Sequence, residues 1–311
     1  MSAVTVEGLR KEYGPAVAVD GVTFEVNRGE VFGFLGPNGA GKSTTIKMLT
    51  TLVPITSGTA KVLGFDVQKD GMNVRRRIGV VQQQPSGEYN LRIDDQMDLY
   101  GMIWDVPKLE RKKRLEILLD DFDLQSHRRE KWSELSIGLR RRMQVAREFM
   151  HDMDLIFLDE PTVGLDPIAR RGALDMIKRR VKEHGLTVFF TTHIMEEAEY
   201  LCDKVAVINK GKVVAIESPR MLKEKFGGLQ TLEAMVEGGD QAGLVKELRV
   251  VDGVSEVAAS VSGMITVTTS SPGETLKVIG NLSEKMGFRI VQLNLREPTL
   301  EQAFVSLVTE K

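Results

Sequence analysis

Short apolar runs alternate with helical stretches along most of the chain. Val31 to Leu35 and Leu186 to Thr192 each read as a buried strand, and so does Asp154 to Asp159, whose apolar middle lies between two acids. Ile78 to Val81 is a shorter strand of the same kind. Val4 to Val26 alternates β-like segments about the turn Glu12-Tyr13-Gly14-Pro15, and predicts an antiparallel portion leading into the strand at Val31. Thr56-Ser57-Gly58-Thr59 reads as a turn, and Ala60 to Val67 as a strand pair or a strand broken at Gly64. Val205 to Ile208 and Lys212 to Ile216 flank Asn209-Lys210-Gly211 as a hairpin.

Between these strands the period becomes helical. Helices are predicted over Ser43 to Leu52, stopped by Pro54, and over Ile93 to Ile103. Pro107 to Phe122 follows, with Leu109, Leu115, Leu118, Leu119 and Phe122 as its apolar positions. Its charge run, Lys108 to Arg114, reads as a solvated face. Trp132 to Met150 is a loop and then a helix. Ile168 to His184 is an amphipathic helix ending before Gly185, and Glu196 to Leu201 and Pro219 to Phe226 are shorter ones.

After Gly227-Gly228 the rhythm changes. Strands over Leu229 to Glu237, Val254 to Ser260, Met264 to Thr269 and Phe288 to Leu295 alternate with helices over Asp240 to Leu248, Pro272 to Met286 and Thr299 to Val308. The two middle strands join around Ser262-Gly263, and the first six elements match a ferredoxin-like split βαβ. We therefore expect an α/β domain over residues 1–227 and a small α+β domain over 228–311.

Composition narrows the class. A content of 42% hydrophobic and 28% charged residues is ordinary for a soluble globular chain, and 311 residues suffice for a large domain and a smaller one. A net charge of −2 excludes a globally basic nucleic-acid binder. The single cysteine, Cys202, excludes an internal disulfide, fits a reducing compartment and reads as a small packed residue. Met1 to Arg10 has no basic segment followed by an apolar one, so no secretory leader is expected. No apolar run approaches the roughly 18 residues of a membrane span. Any membrane part is expected from another chain.

Two segments carry chemistry. Gly36-Pro37-Asn38-Gly39-Ala40-Gly41-Lys42-Ser43-Thr44 has the P-loop form, between a predicted strand and a predicted helix. Its glycines let backbone N–H groups close on phosphate oxygens, and the helix N-terminus adds partial positive charge. Lys42 can reach the β- and γ-phosphates, and the Ser43 hydroxyl can ligate Mg²⁺. The second segment, Leu155 to Thr162, ends an apolar strand in the acids Asp159 and Glu160. A buried carboxylate needs a partner, and ligands of open α/β sheets gather at the carboxyl ends of the strands. Adjacent strand residues face opposite ways, so the acids divide the work: Asp159 for Mg²⁺, Glu160 for polarising an attacking water.

These segments resemble the nucleotide-binding subunits of ABC transporters over roughly Val4 to Gly227. The P-loop is the Walker A match, and Leu155 to Asp159 followed by Glu160 is the Walker B match. Leu135-Ser136-Ile137-Gly138-Leu139 stands where that family carries its L-S-G-G-Q signature. Val163-Gly164-Leu165-Asp166 resembles the D-loop, Thr191-Thr192-His193 the switch strand with its histidine, and Tyr13 the aromatic that stacks on adenine. Of the glutamines Gln82, Gln83 and Gln84, alignment on the strand Ile78 to Val81 favours Gln83 as the Q-loop contact to Mg²⁺ and water. The resemblance implies a RecA-like core with an antiparallel β portion and a helical subdomain at about 87–150.

It also implies ATP and Mg²⁺ as ligands and a head-to-tail dimer, of two copies or with a paralogous subunit. Each ATP then lies between the Walker A of one copy and Ser136 and Gly138 of the other, with Asp166 nearby and His193 holding the γ-phosphate. Ile137 replaces the first glycine of the signature, and a β-branched side chain there implies an assembled but slow site. The combination of Thr56 to Ala60, Leu63 to Val67, Arg140 to Met143 and the tail Glu297 to Phe304 resembles the drug-resistance exporter branch, which includes daunorubicin-type exporters and works with ABC-2-type permeases. That implies a peripheral subunit on the cytoplasmic face of the membrane. Arg140, Arg141, Arg142 and Arg147 read as solvated or interface arginines, with no nucleic-acid partner expected, because no aromatic residues interleave the short run.

Rival readings are a soluble ABC ATPase acting on nucleic acid or ribosomes, and a regulatory ATP sensor. The first lacks a heptad array between Walker A and the signature, and a second P-loop. The second would rest on Ile137 alone, since Lys42, Asp159, Glu160 and His193 are all present.

Overall fold

The computed structural model describes residues 2–260 and 263–309. The chain divides into two compact units, Met1–Pro219 and Arg220–Lys311. In the first, β1 (Ser2–Tyr13) and β2 (Ala16–Asn27) form a hairpin about Gly14-Pro15, followed by β3 (Val31–Leu35) and α1 (Lys42–Leu49). Next come β4 (Ser57–Val62), β5 (Phe65–Asp66), α2 (Gly71–Arg75) and β6 (Ile78–Val81). A helical stretch holds α3 (Ile93–Ile103), α4 (Lys108–Asp121) and α5 (Ile137–Glu148). The chain then returns through β7 (Leu155–Asp159), α6 (Pro167–His184), β8 (Thr187–Thr192), α7 (Met195–Leu201), β9 (Lys204–Asn209) and β10 (Lys212–Glu217).

Two sheets result. One is antiparallel, in the order β2-β1-β4-β5; the other runs β10-β9-β3-β8-β7-β6 and is parallel except for β10. Every residue of β3, β7 and β8 is buried, as unbroken apolar runs demand of strands covered on both faces. Phe24 of β2, Phe32 and Phe34 of β3 and Phe157 of β7 all lie with ring centroids 5.5–5.8 Å from Phe189 of β8. That cluster welds the two sheets and fixes the carboxyl ends of β3, β7 and β8 side by side.

Three local expectations change. Thr56 to Thr59 is not a free turn: β4 begins at Ser57, which pairs with Arg10, and Gly58 lies so close to β1 that an added Cβ would sit 2.2 Å from the Gly8 carbonyl oxygen. Helix α1 ends at Leu49, well before Pro54, because Thr50 Oγ1 bonds back to the Ile46 carbonyl at 2.8 Å and Thr51 turns left-handed at φ 64°. In α4, Leu109 is 71% exposed, while Leu118 and Leu119 carry the packing. Its charge run is also more than a solvated face. Arg111 donates to Asp98 at 2.7 Å and to the Val106 carbonyl at 2.8 Å, tying α4 to α3.

The second unit holds most of α8 (Pro219–Phe226), then β11 (Gln230–Glu237), α9 (Gln241–Arg249), β12 (Val254–Ala259), β13 (Met264–Thr269), α10 (Pro272–Met286), β14 (Arg289–Arg296) and α11 (Leu300–Thr309). Its antiparallel sheet runs β12-β13-β11-β14, which makes β11 to β14 with α9 and α10 a ferredoxin-like split βαβ. Leu232, Ala234 and Val236 of β11 face Leu244 and Leu248 of α9 and Ile279 and Leu282 of α10 in a separate core. Met1 and Ser262 lie outside the described residues. The expected boundary at Gly227-Gly228 falls one short helix after the division at Pro219.

Candidate active site

The P-loop bends between β3 and α1 under tight constraint. A Cβ on Gly36 would lie 2.4 Å from the Ile208 carbonyl oxygen, and one on Gly41 would lie 2.6 Å from that of Ala18, at a φ of 106°. Only glycine fits either place. Gly41 caps α1 without a side-chain hydrogen bond, so no side chain covers the first N–H groups of the helix. Lys42 is 5% exposed. Its Nζ donates to the carbonyls of Gly36 at 2.8 Å and Pro37 at 3.2 Å, and pairs with Glu160 Oε1 at 3.0 Å. A cavity of about 270 Å³ lies over this loop, lined by Asn38, Gly39, Gly41 to Thr44, Gln83 and Glu160.

The two acids separate through a backbone kink. Asp159 ends β7, and its Oδ1 accepts from Thr191 Oγ1 at 2.7 Å. It lines a neighbouring cavity of about 330 Å³ together with Ser43 and Gln83. Glu160 is left-handed at φ 47°, a strained conformation for this residue type, and its amide is held by the Thr191 carbonyl at 3.1 Å and Thr191 Oγ1 at 3.0 Å. The kink turns the carboxylate onto three groups. Oε1 meets Lys42, Oε2 accepts from Gln83 Nε2 at 2.9 Å, and His193 Nδ1 stands 3.3 Å from Oε2 without hydrogen-bond alignment. Burial raises the Glu160 pKa, but the hydrogen bond and charge of Lys42, then His193, outweigh it and hold the carboxyl below its usual range.

The signature and D-loop lie elsewhere. Ser136 caps α5, its Oγ accepting from the Leu139 amide at 3.3 Å. Asp166 caps α6 and accepts from the amides of Ile168 and Ala169 at 3.0 Å. The Ala169 amide first, with the Ile168 amide adding to it, holds its pKa below the usual range against the opposing effect of burial. Ser136, Ile137, Gly138, Gly164, Asp166 and His127 line one surface cavity of about 420 Å³. Ile137 is the first helical residue, with ordinary φ, and is 55% exposed; its Cδ1 would stand 3.7 Å from a Cβ on Gly164. Neither Ser136, Gly138 nor Asp166 lines the P-loop cavity. Tyr13 does not line it either: it is 47% exposed at the end of β1, with Lys11 Nζ 4.9 Å from its ring centroid.

Sequence reasoning missed several side chains that build this site. Arg141 is not a solvated arginine: it is 2% exposed and donates to the Gln82 carbonyl at 2.7 Å and to the Gln83 carbonyl. Burial pulls its pKa down to about 10 even with the Asp159 charge opposing. Arg147 ties α5 to the loop after β6, donating to Ser86 Oγ at 2.9 Å, and Arg140 donates to the Trp132 and Ser133 carbonyls. Glu197 is buried beneath the switch strand, accepting from Thr162 Oγ1 and, at 2.7 Å, from Thr192 Oγ1. The Thr-Thr pair before His193 was the available signal for Thr191 and Thr192. Nothing local distinguishes Arg141 from its neighbours in an arginine run.

A phosphate-binding loop, a paired acid at the end of the adjacent strand and a glutamine and histidine converging on it define a P-loop ATPase. The ABC transporter family model matches residues 19–163. The linearmycin resistance ATP-binding protein LnrL of Bacillus subtilis (strain 168) is 34% identical over 303 residues, covering 97% of this chain and 96% of that one. The daunorubicin/doxorubicin resistance ATP-binding protein DrrA of Streptomyces peucetius is 34% identical over 305 residues, covering 98% and 92%. A solved ATP-binding subunit of an ABC transporter superposes with a TM-score of 0.66 at 28% identity, covering 72% of this chain and 93% of that one. A dimeric ATP-binding cassette solved after hydrolysis with ADP and phosphate gives 0.64 at 25% identity, covering 69% and 98%. The chain belongs to the ATP-binding subunits of ABC transporters, and it is an ATPase.

Proposed function

We propose that this subunit powers export through a separate ABC-2-type permease, from the cytoplasmic face of the membrane. The carrying observation is the convergence of Lys42, Gln83 and His193 on the Glu160 carboxylate at the carboxyl ends of β3, β7 and β8. Export is supported by relatives named for linearmycin and daunorubicin/doxorubicin resistance that match along nearly the whole chain, second unit included. Among the described residues no helix is long and apolar enough to cross a membrane.

Lys42 and the backbone of Gly39 to Thr44 bind the phosphates, with the helix N-terminus of α1 facing their charge. Ser43, Asp159 and Gln83 present hydroxyl, carboxylate and amide oxygens to one cavity, a hard donor set that fits Mg²⁺. Bound there, the ion would neutralise charge on the β- and γ-phosphates. Glu160 takes the proton of the attacking water, a role that needs its carboxylate ionised, and the contacts that hold its carboxyl below the usual range act in that direction. Gln83 and His193 orient that water and the γ-phosphate, and Tyr13 stacks on the adenine. Ser136 and Gly138, facing a different cavity from the P-loop, complete the site of a second, head-to-tail copy, with Asp166 at the seam.

Glu160→Gln tests the site. Hydrolysis should fall by roughly 10²–10⁴-fold while ATP binding persists and ATP with Mg²⁺ drives the variant into dimers, read by light scattering. A variant that hydrolyses at the wild-type rate, or stays monomeric with ATP, overturns the site or the dimer respectively. Co-purification with a multi-span membrane protein tests the permease.

A further inference from the structure

The face of α5 turned toward β6 and the glutamine loop is polar along its length. Glu148 Oε2 accepts from the Val80 amide at 3.2 Å. Arg141 donates to the carbonyls of Gln82 and Gln83 and to Gln144 Oε1, the last at 2.8 Å. Gln144 in turn donates to the carbonyls of Gln82 at 3.3 Å and Gln84 at 3.4 Å. Positions 141, 144 and 148 share one helical face by their spacing of three and four. Three successive carbonyls of the loop are thus read by two side chains of one helix.

This matters because of what the held backbone carries. The Gln83 carbonyl accepts from Arg141, while the Gln83 side chain donates to Glu160 Oε2 at 2.9 Å. The same helix is capped by Ser136, five residues before Arg141. We propose that Arg141 is a positioning residue that holds Gln83 against Glu160 and makes hydrolysis depend on where the signature helix sits. The proposal rests on Glu160 and Gln83 acting as described above. A guanidinium suits the task because its planar fork engages two carbonyls in fixed directions, whereas a lysine offers one point charge. Its burial is tolerable because three acceptors meet it.

The test is a double-mutant cycle on the full-length protein, read by steady-state ATP hydrolysis. Arg141→Met should lower kcat on the order of ten- to a hundredfold while KM for ATP stays within about twofold, since Arg141 contacts neither Lys42 nor the P-loop backbone and acts only through Gln83. Arg141→Lys should fall between wild type and Arg141→Met. In a Gln83→Ala background either substitution should cost nothing further, because the effect passes through Gln83. A merely structural arginine would instead reduce activity equally in both backgrounds. Wild-type kcat in a folded Arg141 variant, or losses that multiply with Gln83→Ala, overturns the proposal. Should Arg141→Met fail to fold, Arg141→Lys, which keeps the buried charge, carries the same cycle. Glu160→Gln fixes the separate question: if it abolishes hydrolysis and the Arg141 cycle is additive, only the positioning role falls.

Discussion

At the residue scale, Ile137 is where the chain departs furthest from what its motif implies. Its backbone poses no difficulty, since it opens a helix in an ordinary conformation. Its side chain is the obstacle, half-exposed in the cavity shared by Ser136, Gly138 and the D-loop glycine. A phosphate approaching the α5 N-terminus from a second copy meets four extra carbons there. Ile137→Gly should therefore raise the steady-state ATPase rate severalfold, at a helix-stability cost of about 1 kcal/mol or less. An unchanged rate, with the variant's melt showing it folded, would remove the steric account. The P-loop and the two acids were legible because their chemistry needs fixed residue types at fixed spacing. The kink at Glu160 was not, since a left-handed glutamate leaves no mark in composition. Simple strand alternation predicted the separation of Asp159 from Glu160 but not the way it is achieved.

At the scale of elements, unbroken apolar runs revealed β3, β7 and β8 because strands buried on both faces admit little else. The helical stretch was less legible, because its packing is done by charged side chains that look solvated in sequence. Arg111 and Arg141 bridge elements, and Leu109, an apolar position by period, stays in water. His151 belongs to this junction. It follows α5, stacks on Trp104 at 4.4 Å and 12°, and its Nε2 lies 3.3 Å from the Ile78 carbonyl of β6. Burial lowers its pKa from 6.5, with Ile78 and Asp152 opposing and Arg114 assisting. The unfolded chain therefore binds a proton near pH 6.5 that the folded chain resists, so stability falls as pH drops through that value. The slope from this group is at most about 1.4 kcal/mol per pH unit. His151→Phe keeps the stack and cannot titrate, so its thermal midpoint should change less between pH 7 and pH 5 than that of the wild type, whatever the lost Ile78 contact costs overall. Identical pH slopes would count against burial of a neutral imidazole.

For the whole molecule, the question is what the second unit adds. Every residue assigned here to nucleotide chemistry lies in Met1–Pro219, and the ferredoxin-like unit has a core of its own in Leu232, Val236, Leu248 and Ile279. The order of its elements was readable because glycines and prolines punctuate it, whereas its role was not, because a ferredoxin-like fold serves many functions. We expect a chain ending at Pro219 to fold, to bind ATP and to hydrolyse it at a rate within about threefold of full length, because stability is largely local to each core. In the Glu160→Gln background it should also still dimerise with ATP if the sandwich contacts come from Ser136, Gly138 and Asp166 alone. Light scattering against ATP concentration reads this directly. A folded, ATP-binding truncation that no longer dimerises would instead make the second unit a clamp on the dimer, and would move the energy of closure away from the nucleotide. The two outcomes differ in what the extra unit is for, since only a clamp lets events in Arg220–Lys311 set the ATP concentration at which the subunits close.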